Sequence, residues 1–229
     1  MLDTVLLELE GVIADTGEAR RDAVFASLRA DGVQLALGEY RELCAGLAFE
    51  DAMRAAFRHA GRTIDETGIA LASHRAERAY RAYIGKGLTL VEGARETLER
   101  LHDHTRLALV TRAPRNDAMF VLSLARVEHL FTCVVAAEDG SPKPSPEPYR
   151  TALSRLQRSR ARIARGTTVA IEDGLPGVQS AHSVGLPVVV VGDVPAHVAL
   201  EADGYVSSIA GLTPDSLLSL VAPRSEPIV

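Results

Sequence analysis

The sequence predicts an α/β protein: a mostly parallel sheet covered by helices on both faces, interrupted near its start by an all-helical insert. Three observations predict it. Beyond residue 87, apolar runs of four to six residues alternate with helical stretches of ten or more, the pattern of βαβ units. Those runs carry little polar alternation, Val188-Val189-Val190-Val191 above all, and strands buried on both faces belong to parallel sheets. The first apolar run, Val5-Leu6-Leu7, is separated from the rest by a long Ala-, Arg- and Leu-rich stretch at helical spacing, 16–84. Connections within such sheets are usually short, so 16–84 reads as an insert rooted just after the first strand.

Taken in order, the first strand ends in Glu8, Leu9, Glu10 and Gly11, a turn bearing carboxylates. Within the helical insert, Gly32, Gly38 and Gly61 are expected to stop helices. Then follow a helix at 92–103, a strand at 106–111, a helix at 116–126 and a strand at 131–136. A helix at 146–158, a strand at 168–171, a helix at 175–184 and a strand at 186–191 continue the alternation. A short strand at 204–206 and a helix at 214–221 end it, and 222–229 reads as a frayed tail. The expected domains are a core of 1–14 and 88–229 and a helical domain of 15–87, with the glycines of Gly85-Lys86-Gly87 as a hinge.

Composition excludes several function classes. A net charge of −5 and a pI near 5.8 offer no basic surface for nucleic acid. No apolar run approaches the roughly 20 residues of a membrane helix, and Asp3 stands where a signal peptide would be basic. Two distant cysteines, Cys44 and Cys133, exclude a disulfide framework and a cysteine-rich zinc site. Cys133, within FTCVVAA, reads as a buried core thiol. A soluble, cytoplasmic protein is expected, without nucleic-acid or membrane partners; its oligomeric state is not legible. The arginines at 150, 155, 158, 160, 162 and 165 lack interleaved aromatics and read as a solvated face. The seven histidines, His102, His104 and His182 among them, show no metal spacing.

One count stands out. Of 25 basic residues only Lys86 and Lys143 are lysines. A chain that uses arginine for nearly every cation keeps lysine where a compact charge must reach a small site. In open parallel sheets, ligands bind beyond the carboxyl ends of the strands, and polar residues gather at those ends here. The first strand leads to Glu8 and Glu10, the second to Thr111 and Arg112, the third through Glu138-Asp139 to Lys143, and the fourth to Glu172-Asp173.

These residues carry a resemblance to the haloacid dehalogenase superfamily, in its β-phosphoglucomutase-like, helical-cap branch. E-L-E-G-V-I-A-D-T (8–16) is similar to the first motif, usually D-x-D-G-V-x-x-D-[ST]. V-T-R-A-P-R (110–115), S-P-K-P-S-P-E-P-Y (141–149) and V-A-I-E-D-G-L-P-G-V-Q-S-A-H-S-V-G-L (169–186) resemble the second, third and fourth. The resemblance implies a Rossmann-like core with a helical cap, and a Mg²⁺-dependent phosphatase acting on a small phosphorylated metabolite. It implies Glu8 as nucleophile and Glu10 as acid and base. Thr111 would donate to a phosphate oxygen, and Lys143 would be the phosphate-site cation. Glu8, Glu10, Glu172 and Asp173 would serve the Mg²⁺ site. Arg20, Arg21 and Arg112 read either as solvated arginines or as contacts to an anionic substrate, and Phe49 as a further substrate-facing residue.

The first motif departs from the family: glutamates stand at both aspartate positions. Each carries its carboxylate up to about 1.5 Å further from the backbone, and about 1 Å of misplacement can cost roughly a hundredfold in rate. Three readings stay open: a pocket adapted to glutamate, a silent protein that binds a phosphorylated ligand or partner, or acid–base chemistry without a phospho-enzyme. The stretch 15–84 contains no lysine, unlike the cap of phosphonate-cleaving relatives, so that chemistry is disfavoured. Arg20 stands where sugar-phosphate mutases carry histidine, and Phe49 where their cap carries arginine, so mutase activity is disfavoured. Lys143 with an acidic pair suits phosphoryl transfer better than dehalogenation.

Overall fold

The computed structural model describes residues 1–158 and 165–222. Eight strands and ten α-helices are formed among them. Strands β1 (Thr4–Leu7), β4 (Arg106–Val110), β5 (Phe131–Val135), β6 (Thr168–Glu172), β7 (Val188–Val191) and β8 (Gly204–Val206) form one sheet in the order β5-β4-β1-β6-β7-β8. Every pairing in it is parallel. Strand β1 is central: Leu7 lies opposite Leu109 on one side and Ile171 on the other. The short strands β2 (Ala14–Asp15) and β3 (Thr89–Leu90) pair separately.

The sheet is parallel because its strands are apolar on both faces. Thr4–Leu7 and Val188–Val191 are buried throughout. Helices α5 (Ala94–His102), α6 (Arg115–Ala125), α7 (Glu147–Arg158), α8 (Leu175–His182), α9 (Ala196–Glu201) and α10 (Pro214–Leu220) belong to the same unit. On one face, Leu6, Ala108, Val110, Ala170, Val188 and Val190 pack with Tyr149, Ala152 and Leu156 of α7 and Val178 and Ala181 of α8. Each fully buried aliphatic side chain contributes roughly 1.5–3 kcal/mol.

The chain divides into two compact units, Met1–Asp15 with Leu90–Val229, and Thr16–Thr89. The second is all helical: α1 (Gly17–Ala30), α2 (Leu37–Leu43), α3 (Phe49–His59) and α4 (Glu66–Lys86). Ala23, Val24 and Leu28 of α1 are buried, as are Ile69, Ala72, Ala76 and Tyr80 of α4. The small residue at 72 lets the backbones approach, and Ser27 Oγ donates to Ala72 O at 2.6 Å. Asp65 caps α4 by accepting from Gly68 N at 2.8 Å.

Several expectations are corrected. Gly38 lies inside α2 and Gly85 inside α4, whose helix runs on to Lys86, so only Gly87 of that glycine pair is a terminus. Helix α9 was not anticipated, since six residues show too little periodicity. Cys133 is half-buried on the sheet-edge strand β5, packed against the core rather than enclosed in it. Arg155 is not merely solvated: it donates to Val134 O at 2.8 Å and to Asp139. His102 and His182 bind Leu130 O and Asp203, at 3.0 and 2.9 Å. Arg160, Arg162, the Arg165 side chain and nearly all of the expected tail lie outside the described residues. Among those described, no helix is long and apolar enough to cross a membrane.

Candidate active site

The strand order decides where the polar residues go. Glu8 follows β1, Thr111 follows β4, and Glu172 ends β6, so three adjacent strands deliver them to one sheet edge. The loop after β5 returns Lys143 to the same place. Lys143 and Glu8 are each 5% exposed and Glu172 1%. Such burial of charge is stable only with close pairing.

Lys143 uses all three of its protons. Its Nζ donates to Glu8 Oε2 at 2.7 Å, to Val110 O at 2.7 Å and to Glu172 Oε1. Burial opposes the ammonium charge, yet Glu172 and Glu8 outweigh it and hold Lys143 above the usual lysine range. Glu8 accepts its second bond from Leu9 N, 2.7 Å from Oε1. The extra methylene of glutamate is taken up by folding the carboxylate back over its own strand end.

Two residues lock Glu172. The Tyr149 hydroxyl donates to Oε1, and helix α8 passes so close that a Cβ at Gly177 would lie 2.0 Å from Glu172 Cδ. Burial raises the Glu172 carboxyl, Lys143 lowers it and Glu8 raises it, for a net upward shift. Burial, with Glu172 beside it, pushes the Tyr149 phenol well above its usual value. Asp173 follows at the start of the next turn. Burial and then Glu172, Glu8 and Glu10 raise its carboxyl to about 8, against the opposing pull of Lys143. Gly11 has φ +72°, and a Cβ there would lie 2.7 Å from Asp173 Oδ2, so glycine is required on both counts.

Thr111 is buried, with Oγ1 accepting from Ala113 N at 3.2 Å. The Lys143 loop is held at its root by Asp139, which accepts from Ala136 N at 2.9 Å and pairs with Arg155 and Arg115. Arg155 foremost keeps the Asp139 carboxyl below the usual range.

The structure thus joins Glu8, Lys143 and Glu172 directly, with Asp173 and Glu10 inside the same field. Arg112 is exposed and outside the Lys143 network. Arg20 and Phe49 meet each other in the helical unit: the guanidinium carbon lies 4.1 Å from the ring centroid and the group bonds Leu47 O. Phe49 in turn lies 5.8 Å from the Tyr80 ring, whose hydroxyl donates to Thr16 Oγ1 at 3.1 Å. Tyr149, Gly177 and Gly11 were not anticipated as site residues. The motifs contain all three, but their work is to pin or clear space for a carboxylate, which needs coordinates to see.

The donor set suits a hard divalent cation in its chemistry: Glu8 and Glu172 pair with Lys143, and burial first, then the charges of Glu172 and Glu8, raise the Asp173 carboxyl beside them. Among the described residues, no three acidic, histidine or cysteine side chains are already gathered as a ligand set.

Residues 5–191 match the family model of haloacid dehalogenase-like hydrolases, a span from β1 through β7, and the chain belongs to that family. The motif resemblance and the α/β fold expected with it are borne out. Within the family the chain is similar to validoxylamine A 7'-phosphate phosphatase of Streptomyces hygroscopicus subsp. limoneus, at 27% identity over 188 residues, 81% of this chain and 84% of the relative. It is likewise similar to protein CbbY of Cereibacter sphaeroides, at 28% over 200 residues, 83% and 84% of the two chains. The crystal structure of β-phosphoglucomutase from Clostridium difficile shares the fold with a TM-score of 0.82 at 17% identity, over 96% of this chain and 97% of that one.

Proposed function

We propose that the protein is a Mg²⁺-dependent phosphatase that hydrolyses the monoester of a small phosphorylated metabolite in the cytoplasm. The observation that carries the reading is the buried Lys143, interlocked with Glu8 and Glu172 at three adjacent strand ends. A cation so deeply buried serves a small anionic group better than a solvated one. The similarity to a validoxylamine A 7'-phosphate phosphatase supports a phosphorylated small-molecule substrate.

In this reading a Glu8 oxygen attacks phosphorus, and the bond to the leaving alkoxide breaks as the acyl phosphate forms. Glu10 gives its proton to the alkoxide. Glu10 then takes a proton from water, whose oxygen attacks phosphorus; the Glu8–phosphate bond breaks, releasing inorganic phosphate and restoring the Glu8 carboxylate and the protonated Glu10. Thr111 and Lys143 hold the phosphoryl oxygens. Mg²⁺, when bound, supplies the charge neutralisation that lets one anion approach another. Glu8, Glu10 and Asp173 would hold it, with Glu172 behind them on Lys143 and Tyr149. In the helical unit Arg20, steadied on Phe49, is a candidate substrate contact, as is Arg112 after β4 in the core unit.

A second reading is favoured by one observation: both oxygens of Glu8 are already engaged. In it the protein binds a phosphorylated ligand without turnover. A panel of phosphate monoesters with Mg²⁺ decides. Release of phosphate above a folded Lys143→Ala control supports the phosphatase; phosphate binding without turnover supports the silent reading.

A further inference from the structure

We propose that the Glu8 carboxylate occupies the site's own anion seat, and that a phosphate-like ligand enters by displacing it. The proposal rests on reading the Lys143 site as an anion site and does not require turnover. Two donors converge on Glu8: Leu9 N–H on Oε1 and Lys143 Nζ on Oε2, both at 2.7 Å. They are a backbone amide and a buried ammonium, the pair of donors that recognises a tetrahedral oxyanion. Because Lys143 has no fourth proton, an incoming anion must replace one of its three acceptors.

Two of those acceptors are fixed. Val110 O is main chain at the end of β4. Glu172 is held by the Tyr149 hydroxyl as well as Lys143, is 1% exposed, and has the α8 backbone against it at Gly177. Glu8 is the exchangeable partner: apart from Lys143, its hydrogen bond goes to the amide of the very next residue, a local contact that a side-chain rotation releases. Once swung out, the longer glutamate side chain vacates the seat while staying at the strand end. Glu8 is then a built-in competitor, and ligand affinity is the difference between the seat's preference for phosphate and its preference for this carboxylate.

The test separates occupancy from charge. Inorganic phosphate is titrated by calorimetry, at constant ionic strength and without divalent cations, into the wild-type protein, Glu8→Gln and Glu8→Ala. Both variants remove the same charge. The glutamine carbonyl still reaches Leu9 N–H, whereas alanine leaves both donors open. Glu8→Ala should bind phosphate about five- to tenfold more tightly than Glu8→Gln, the worth of one hydrogen-bonded competitor, and more tightly than wild type. Equal affinities for the two variants reduce the effect to charge and overturn the proposal, as does an alanine variant no tighter than wild type.

Glu8→Ser replaces Glu8→Ala if the latter does not fold. In the wild-type protein, the Leu9 amide resonance should move on phosphate addition; a Leu9 amide unchanged at saturation also overturns the proposal. The two readings fail separately. Turnover with equal variants leaves the phosphatase standing without the mask. A tighter alanine variant with no wild-type turnover leaves the mask standing without the phosphatase.

Discussion

Replacing Lys143 by methionine tests the electrostatics of the core directly. The substitution keeps an unbranched side chain of similar length and deletes three hydrogen bonds, to Glu8, Val110 O and Glu172. Two carboxylates, 5% and 1% exposed, are left facing each other without a cation. Removing one partner of a buried ion pair costs about 3–5 kcal/mol, because the remaining charge stays uncompensated. At about 2–4 °C per kcal/mol for a chain of this size, the melting temperature should fall by roughly 6–20 °C. The deficit must also depend on pH. With Lys143 gone, the Glu172 carboxyl, already raised by burial, rises further above its unfolded value of 4.5. A group raised in the fold contributes stability at pH below its unfolded value and loses it as pH climbs through the folded one. The variant's deficit should therefore be largest at pH 8 and shrink toward pH 5, as the carboxyl pair takes up a proton. Urea unfolding followed by far-ultraviolet circular dichroism at both pH values measures it. A deficit below about 1 kcal/mol at pH 8, or one indifferent to pH, refutes the reasoning.

Gly177→Ala places a methyl 2.0 Å from Glu172 Cδ, so Glu172 or α8 must move; about 1–3 kcal/mol of stability should be lost in urea unfolding, with any phosphatase activity falling alongside. Asp173, raised to about 8, holds a proton through the neutral range without a cation. By the same linkage the metal-free protein loses stability from about pH 4 to 8, and Mg²⁺ affinity by calorimetry should rise by up to about tenfold per pH unit until pH 8. Asp173→Asn should flatten that dependence. Asp139→Ala frees Arg155, Arg115 and the Ala136 amide; about 1–3 kcal/mol should be lost, and hydrogen exchange should quicken across 136–144.

The core was legible because its strands are written plainly. Val188–Val191 has no other sensible place than inside a parallel sheet, and with the strand ends assigned, the residues after them had to share an edge. Lys143 was legible through lysine's rarity. What stayed hidden was anything that depends on approach distance. Nothing in a one-dimensional pattern says that Gly177 lies under Glu172, or that the Tyr149 hydroxyl, not only its ring, is used. Gly85 does not end α4 because one glycine costs a long helix only about 1 kcal/mol, which α4 tolerates near its end. Arg155 was misjudged because its partner, Asp139, lies on a separate loop.

The central position of β1 has a consequence for how the chain is made. Thr4 pairs with Arg106 on one side and Thr168 on the other, so β1, made before every other strand of its sheet, gains its second neighbour only when β6 is made. Its neighbours are synthesised far downstream, and the non-local closures they require are the slow steps of folding. Helices α1 to α4 contact one another over much shorter stretches and can form meanwhile. Until β6 arrives, the buried run Val5-Leu6-Leu7 lacks one of its two neighbours, and nascent chains released before that point present an unpaired apolar edge to one another.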